Sequence, residues 1–235
     1  MMTRYPWFAR QEWHHILFCH WPVAHHLLQP LIPSPFSIDT FKGQAWLTIV
    51  LFKATSSRFR AMPKKMSFPP FMQLNVRTYV HLRHKPGVYF FSLDVNNFLA
   101  VFGARLFSLP FMQAKMSMQQ DGSGISASSY RIHKEMPFLD VRATYVPKKK
   151  LQTNVHALAQ WLTERYRFYF IHRGCLIKGS LSHTSWELYD VKTHLNIKGR
   201  IGPINFATLK SPLVFYADNK EAFLHPFEKL GIIDL

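Results

Sequence analysis

Residues 72–82, MQLNVRTYVHL, decide how this chain is read. Their side chains alternate. Leu74, Val76, Thr78 and Val80 fall on one face, and Gln73, Asn75, Arg77 and Tyr79 on the other. A period of two marks a strand, with successive side chains on opposite faces. The next apolar segment, Val88–Val95, follows Pro86-Gly87, so a hairpin turned at those two residues is expected. Its faces are Val88, Phe90, Ser92 and Asp94 against Tyr89, Phe91, Leu93 and Val95.

The same pattern spreads outward. Phe111–Gln119 alternates, with Phe111, Gln113, Lys115 and Ser117 opposite Met112, Ala114, Met116 and Met118. Further strands are expected at Gln44–Ala54, Ile125–His133, Leu139–Tyr145, Tyr166–His172, Leu176–His183 and Trp186–His194, and the stretch leading to Trp21-Pro22 also reads as a strand. The Gly/Ser-rich DGSGISASS, residues 121–129, reads as a hairpin turn rather than a domain boundary. Prolines leave room for about three short helices. These are Ala24–Leu31, Asn96–Leu109 with Leu99, Phe102 and Leu106 at helical spacing, and Thr153–Arg165 with Val155, Leu158 and Leu162. Mostly strands with a few helices reads as β-rich α+β: a bent antiparallel sheet, or a barrel, decorated by helices.

Composition bounds the rest. At 235 residues, 48% hydrophobic and 18% charged, with 21 Phe, the chain can bury a large core, and one domain spanning 1–235 is expected. Two cysteines cannot staple a chain of this length. A reduced, cytoplasmic setting is expected, with a single disulfide left open. Met1–Arg10 lacks the apolar run of a signal peptide, and no apolar stretch reaches the roughly 18 residues of a membrane helix. The formal charge of +16 is compatible with a nucleic acid or an anionic membrane as partner. The bases sit in short clusters at turns, such as Lys64-Lys65, Lys148–Lys150 and Lys198–Arg200. That placement favours a solvated basic surface.

Candidate chemistry centres on one strand face. Gln73, Asn75, Arg77 and Tyr79 form a row that suits a pocket lining. Arg77 could clamp a carboxylate or phosphate, and Asn75 and Tyr79 could orient a carbonyl or hydroxyl. Ordinary solvent-out alternation gives the same pattern. Ser92 and Asp94 share a face nearby, and Asp94 could pair with Arg77 or Arg105. A buried pair would shift the carboxylate pKa downward. Glu164 is a candidate general base. His14, His15, Cys19, His20, His25 and His26 crowd one segment without a CxxC or HExxH motif, so no metal is expected. Cys19 and His20, adjacent on a strand, point opposite ways. No Walker loop, GxGxxG or GxSxG is present, and no cofactor is expected. Homo-oligomerisation is left open.

Several motifs in order resemble the YqjF-like family, a domain family of unknown function. They are CHWPV at 19–23, LIP at 31–33, IDTFKGQAW at 38–46, LNVRTYV at 74–80 and PGVYFFSLD at 86–94, then Ala104-Arg105 leading to Leu109-Pro110-Phe111, Ala114-Lys115-Met116, and LTERY at 162–166. The resemblance runs from about Trp13 to Phe227. That family is similar to the acetoacetate-decarboxylase-like superfamily, which implies a strongly bent antiparallel barrel around an internal pocket. In the decarboxylases a pocket lysine forms a Schiff base beside a second lysine that lowers its pKa. The two lysine positions fall here on Phe111 and Met112, and a pocket glutamate falls near Gln73. Both the nucleophile and a carboxylate are missing. Lys115 lies on the Phe111 face but about 13 Å along at the usual strand rise. The expectation is a small organic acid or related metabolite in the cavity, touching Gln73, Asn75, Arg77, Tyr79, Ser92, Asp94, Arg105, Phe111 and Gln113. A binding protein and a lyase- or hydrolase-like enzyme remain open. The alternatives are a basic nucleic-acid- or membrane-binding module and an imine-forming lyase using Lys115.

Overall fold

The computed structural model describes residues 6–97, 109–133, 136–152 and 157–232. Its strands in chain order are β1 (Ala9–Val23), β2 (Ser37–Ile38), β3 (Ala45–Phe59), β4 (Phe71–Leu82), β5 (Lys85–Val95), β6 (Phe111–Asp121), β7 (Gly124–Arg131), β8 (Leu139–Lys150), β9 (Arg167–His172), β10 (Cys175–Ser182), β11 (Tyr189–Ile201), β12 (Ile204–Asn205) and β13 (Leu213–Ile232). Two α-helices lie among the described residues, α1 (His25–Leu28) and α2 (Ala157–Thr163). The expected helix at Asn96–Leu109 falls almost wholly outside the described residues.

All thirteen strands join one strongly bent sheet, as expected. Its pairings are antiparallel except where β5 lies parallel to β6 and to β9. The sheet closes on itself because β4 also pairs with β5, so β5, β9, β10, β13, β1, β3 and β4 form a seven-stranded ring. Closure removes exposed edges on this half of the molecule.

Alternation then sorts the side chains into two cores. Ile16 and Phe18 of β1, Trp46, Val50 and Phe52 of β3, Phe71 and Tyr79 of β4, and Phe168 and Phe170 of β9 share the cluster inside the ring. Ala159 and Leu162 of α2 and Trp186 pack into the same cluster. The opposite faces of β1, β3 and β4, with Leu17, Cys19, Leu47, Ile49, Leu74 and Val76, join Ile125 of β7 and Val141 and Ala143 of β8 in a second cluster.

Two local expectations are corrected. The β4–β5 hairpin exists, but its turn is Arg83-His84, both with positive φ of 48° and 62°. Two residues of left-handed backbone suit the twist of a tight hairpin. Pro86 and Gly87 therefore lie inside β5, and Gly87 is needed there because a Cβ would sit 2.6 Å from the Tyr169 ring. The strand expected to start at Trp186 starts at Tyr189, because Trp186 and Leu188 turn inward to the ring cluster.

Candidate functional site

All of β4 but the half-buried Arg77 and His81 is withdrawn from water, so its polar face is not a solvent face. Gln73 and Asn75 are buried at 9% and 8% exposure, Tyr79 is fully buried and Arg77 is half-buried. Cross-strand pairing puts Gln73, Asn75, Arg77 and Tyr79 opposite Val95, Leu93, Phe90 and Val88. Directly paired residues share a face, and Val88, Val95 and Tyr79 belong to the ring cluster. The row therefore lines the ring interior.

Its members are not equivalent. Gln73 Nε2 donates to Asn75 Oδ1 at 2.6 Å, so these two satisfy each other in part. Tyr79 was expected to orient a ligand, yet its hydroxyl donates to the Leu162 carbonyl at 2.8 Å. That carbonyl is at the end of α2, where helix carbonyls lack intrahelical partners. Burial raises the Tyr79 pKa, opposed by the Arg77 cation, the Thr48 hydroxyl and Arg165.

Arg77 reaches the same Leu162 carbonyl from Nη2 at a long 3.5 Å, and its guanidinium also bears on the Tyr79 hydroxyl. Its Nε–H is buried without a partner, and no carboxylate lies within ion-pair distance of it among the described residues. A helix end offers at most about half a negative charge, which does not balance a full cation. Across the strands, His20 of β1 pairs with Thr48 of β3, and Thr48 pairs with Arg77. His20 is fully buried, lies near-parallel to the Phe18 ring, and leaves Nε2 without a partner. Desolvation, and then the Arg77 charge, hold its pKa well below the ordinary value, so the ring is neutral. Sequence reasoning weighed His20 only within the histidine-rich segment considered for a metal and as a partner for Cys19. The signal that could have found it was its place, one strand beyond Thr48, on the face that carries Phe18.

Other candidates separate from this row. Ser92 and Asp94 pair with Val76 and Leu74 and so face away from the ring. Asp94 is bound neither by Arg77 nor, among the described residues, by any arginine but Arg131. Arg131 Nε and Nη2 reach its two oxygens at 3.0 and 2.9 Å, Nη2 reaches Ser92 Oγ at 2.6 Å, and Nη1 donates to the Pro137 carbonyl at 2.8 Å. The Asp94 pKa is raised rather than lowered, since the desolvation of a buried carboxyl outweighs the pull of Arg131. Arg105 lies outside the described residues. Phe111, half-buried, packs against the ring cluster, and Met112 is buried, so apolar side chains stand at both positions. Gln113 is half-buried beside them and Lys115 is exposed.

Glu164 is a structural acceptor: its carboxylate takes the Trp186 backbone N–H at 2.9 Å and the Tyr166 hydroxyl. Arg165 pairs with Asp39 at 2.9 Å and lies over the Trp161 ring, beside a cleft of about 350 Å³ that also holds His81 and His84. Gln73, Asn75 and Arg77 line none of four clefts of about 180 to 490 Å³ formed by described residues. Cys19 and Cys175 are unpaired, and burial pushes the Cys19 thiol up to about 12. Among the described residues no three His, Cys, Asp or Glu side chains gather as a metal set, and no helix is long and apolar enough to cross a membrane.

Known proteins place this geometry. The YqjF protein of Bacillus subtilis (strain 168), described as uncharacterized, is 37% identical over 228 residues, covering 95% of this chain and 93% of that one. Solved structures share the fold at low identity. Acetoacetate decarboxylase from Legionella pneumophila matches with a TM-score of 0.69 at 11% identity, covering 98% of this chain and 90% of that one. The enduracididine biosynthesis enzyme MppR complexed with pyruvate matches at 0.68 and 10%, covering 98% and 93%. An acetoacetate decarboxylase-like enzyme from Sphingomonas wittichii RW1 matches at 0.67 and 11%, covering 97% and 95%. The model of the DUF2071 family, described as an uncharacterized conserved protein, matches residues 10–221. With a relative this similar over nearly its whole length, the chain belongs to the DUF2071, or YqjF-like, family and is built on the acetoacetate decarboxylase-like fold.

Proposed function

We propose that this protein binds a small organic anion inside the seven-stranded ring, with Arg77 as its charge partner. One observation carries the reading. Arg77 is a cation in an apolar, Phe-rich interior, with a buried, unpartnered Nε–H and no carboxylate in reach among the described residues. Arg77 as a whole is half-buried, but a buried N–H of a charged group left without a partner is costly to keep. A ligand carboxylate would complete the pair through two parallel hydrogen bonds. Asn75 and Gln73 lie on the same face, and the aromatic side chains supply apolar walls. A relative in fold holds pyruvate, an acid of the size in question. Phe111 and Met112 offer no amine, and Lys115 is exposed, so the reading requires no imine.

Calorimetric titration with acetate, propionate and pyruvate tests this. Wild type is expected to bind at least one of them, and Arg77→Met to weaken that binding by tenfold or more. Equal binding by the two proteins would remove Arg77 from the site.

A basic partner surface has its own observation. Along β11, Lys192, His194, Lys198 and Arg200 point outward at alternate positions, beside exposed Arg142 of β8. Heparin retention that survives roughly 150 mM salt would support a polyanion there, because non-specific attraction is screened at that strength.

A further inference from the structure

The hydrogen bonds around Tyr79 fix which nitrogen of His20 carries the proton. Tyr79 has one hydroxyl proton, and it goes to the Leu162 carbonyl at 2.8 Å, a group that can only accept. Thr48 Oγ1 lies 2.9 Å from the Tyr79 oxygen, so Thr48 must be the donor in that bond. Thr48 then has no proton left for His20. The 2.9 Å bond between Thr48 Oγ1 and His20 Nδ1 therefore requires that Nδ1 carry the hydrogen. The longer 3.4 Å approach of Nδ1 to the Tyr79 oxygen agrees, because that oxygen is also only an acceptor here. Desolvation keeps the imidazole neutral. Nε2 is left as a bare lone pair, buried and unpartnered, on the strand face that carries Arg77.

Resting on the reading of Arg77 as an anion clamp, we infer that His20 is a ligand-contacting residue of the same site, accepting a hydrogen bond at Nε2, and that the ligand is a small hydroxy acid. The carboxylate meets Arg77, and the hydroxyl donates to Nε2. A keto acid offers that nitrogen only a second acceptor, and a simple acid offers it nothing. An amino acid brings an ammonium, which the Arg77 charge opposes. A site built to receive a hydroxyl discriminates against an analogue lacking it, because its own polar atom is then left bare.

Titration of the full chain with lactate, pyruvate and propionate tests this in wild type, His20→Leu and Arg77→Met. Lactate is expected to bind wild type about tenfold more tightly than the other two, the size of one net hydrogen bond. In His20→Leu that preference disappears while acid binding remains, and in Arg77→Met all three acids weaken. Equal binding of lactate and propionate to wild type overturns the role of His20 and leaves the Arg77 site standing. Acid binding that ignores Arg77→Met overturns the site itself. Should His20→Leu fail to fold, nitrogen-15 NMR of the wild-type histidines decides instead. Nε2 of His20 should be unprotonated and should shift on addition of lactate but not of propionate. A proton on Nε2, or no such difference, sinks the inference.

Discussion

Arg131 and Arg77 each bury guanidinium nitrogens, and they are buried on opposite terms. Arg131 has Asp94 on two nitrogens, Ser92 on one of these, and the Pro137 carbonyl on the third. Arg77 has a 3.5 Å contact to the Leu162 carbonyl and a bare Nε–H. A buried cation with every nitrogen bonded holds the sheet together: this one ties β7 to β5. A half-buried cation with a buried, bare N–H is an unfinished interaction, and unfinished interactions inside a closed ring mark where something else goes. The largest test of the difference removes the partner that Arg131 has. Asp94→Ala should cost about 3–5 kcal/mol of stability in urea unfolding, the usual penalty for stranding a buried charge. A loss under ~1 kcal/mol would place Arg131 with the unfinished kind.

The next effect lies between the two arginines. Tyr79 satisfies the Leu162 carbonyl, accepts from Thr48 and so holds the orientation of His20. Tyr79→Phe leaves Thr48 without its acceptor and weakens the end of α2. The expected loss is about 1–3 kcal/mol, and the nitrogen-15 spectrum should report a changed His20 tautomer. An unchanged spectrum would show that the Thr48 bond alone orients the ring.

How far the sequence foretold this depends on which interaction is local. β4 was legible because a period of two is written in eleven consecutive residues, and so was the row Gln73, Asn75, Arg77 and Tyr79. That the row is buried was not legible from spacing, because solvent alternation and a polar lining share one pattern. Ring closure by the extra β4–β5 pairing decides between them. The Asp94–Arg131 pair joins residues 37 apart in sequence; nothing local selects Arg131 over Arg77 or Arg105. β13 was missed altogether. Its Leu213–Ile232 stretch carries Asp218, Asn219, Lys220, Glu221 and Pro226, residues that β propensity disfavours. It becomes a strand because β1, β10 and β11 offer it partners. Glu164 read as a candidate general base, and only the fold brings Trp186 and Tyr166 to it.

His20 sharpens the comparison through pH. Its pKa is depressed in the folded protein by burial and by Arg77, with Tyr79 and Thr48 as its polar neighbours. The unfolded chain takes up the proton near the ordinary value of 6.5, and the folded chain refuses it until well below. Stability from this residue is therefore complete above pH 6.5 and is lost as pH falls through 6.5 toward the folded pKa. The slope is at most about 1.4 kcal/mol per pH unit for one group. His15 and His183 are also depressed, chiefly by desolvation, so the informative quantity is the difference between wild type and His20→Gln. Urea titrations between pH 7.5 and roughly 5 should show the variant less acid-sensitive by up to that slope. Parallel curves would mean that His20 takes up its proton at the same pH folded as unfolded.

The smallest expected effect is the most discriminating, because it carries the opposite sign to the first. Arg77→Met replaces an uncompensated cation with an apolar side chain of comparable reach, between Thr48 and Phe90 on the neighbouring strands. Nothing is stranded by the change except a carbonyl that Tyr79 already satisfies. Replacing a buried charge by a packed apolar group is neutral to stabilising, so urea unfolding should show a gain of up to about 1 kcal/mol without ligand. Saturating acid should then reverse the order, since a ligand stabilises only the form that binds it. If Arg77→Met is instead destabilised by an amount comparable to Asp94→Ala, Arg77 has its own partner in the fold. The contrast between the two arginines would then disappear, and with it the case for an anion at Arg77.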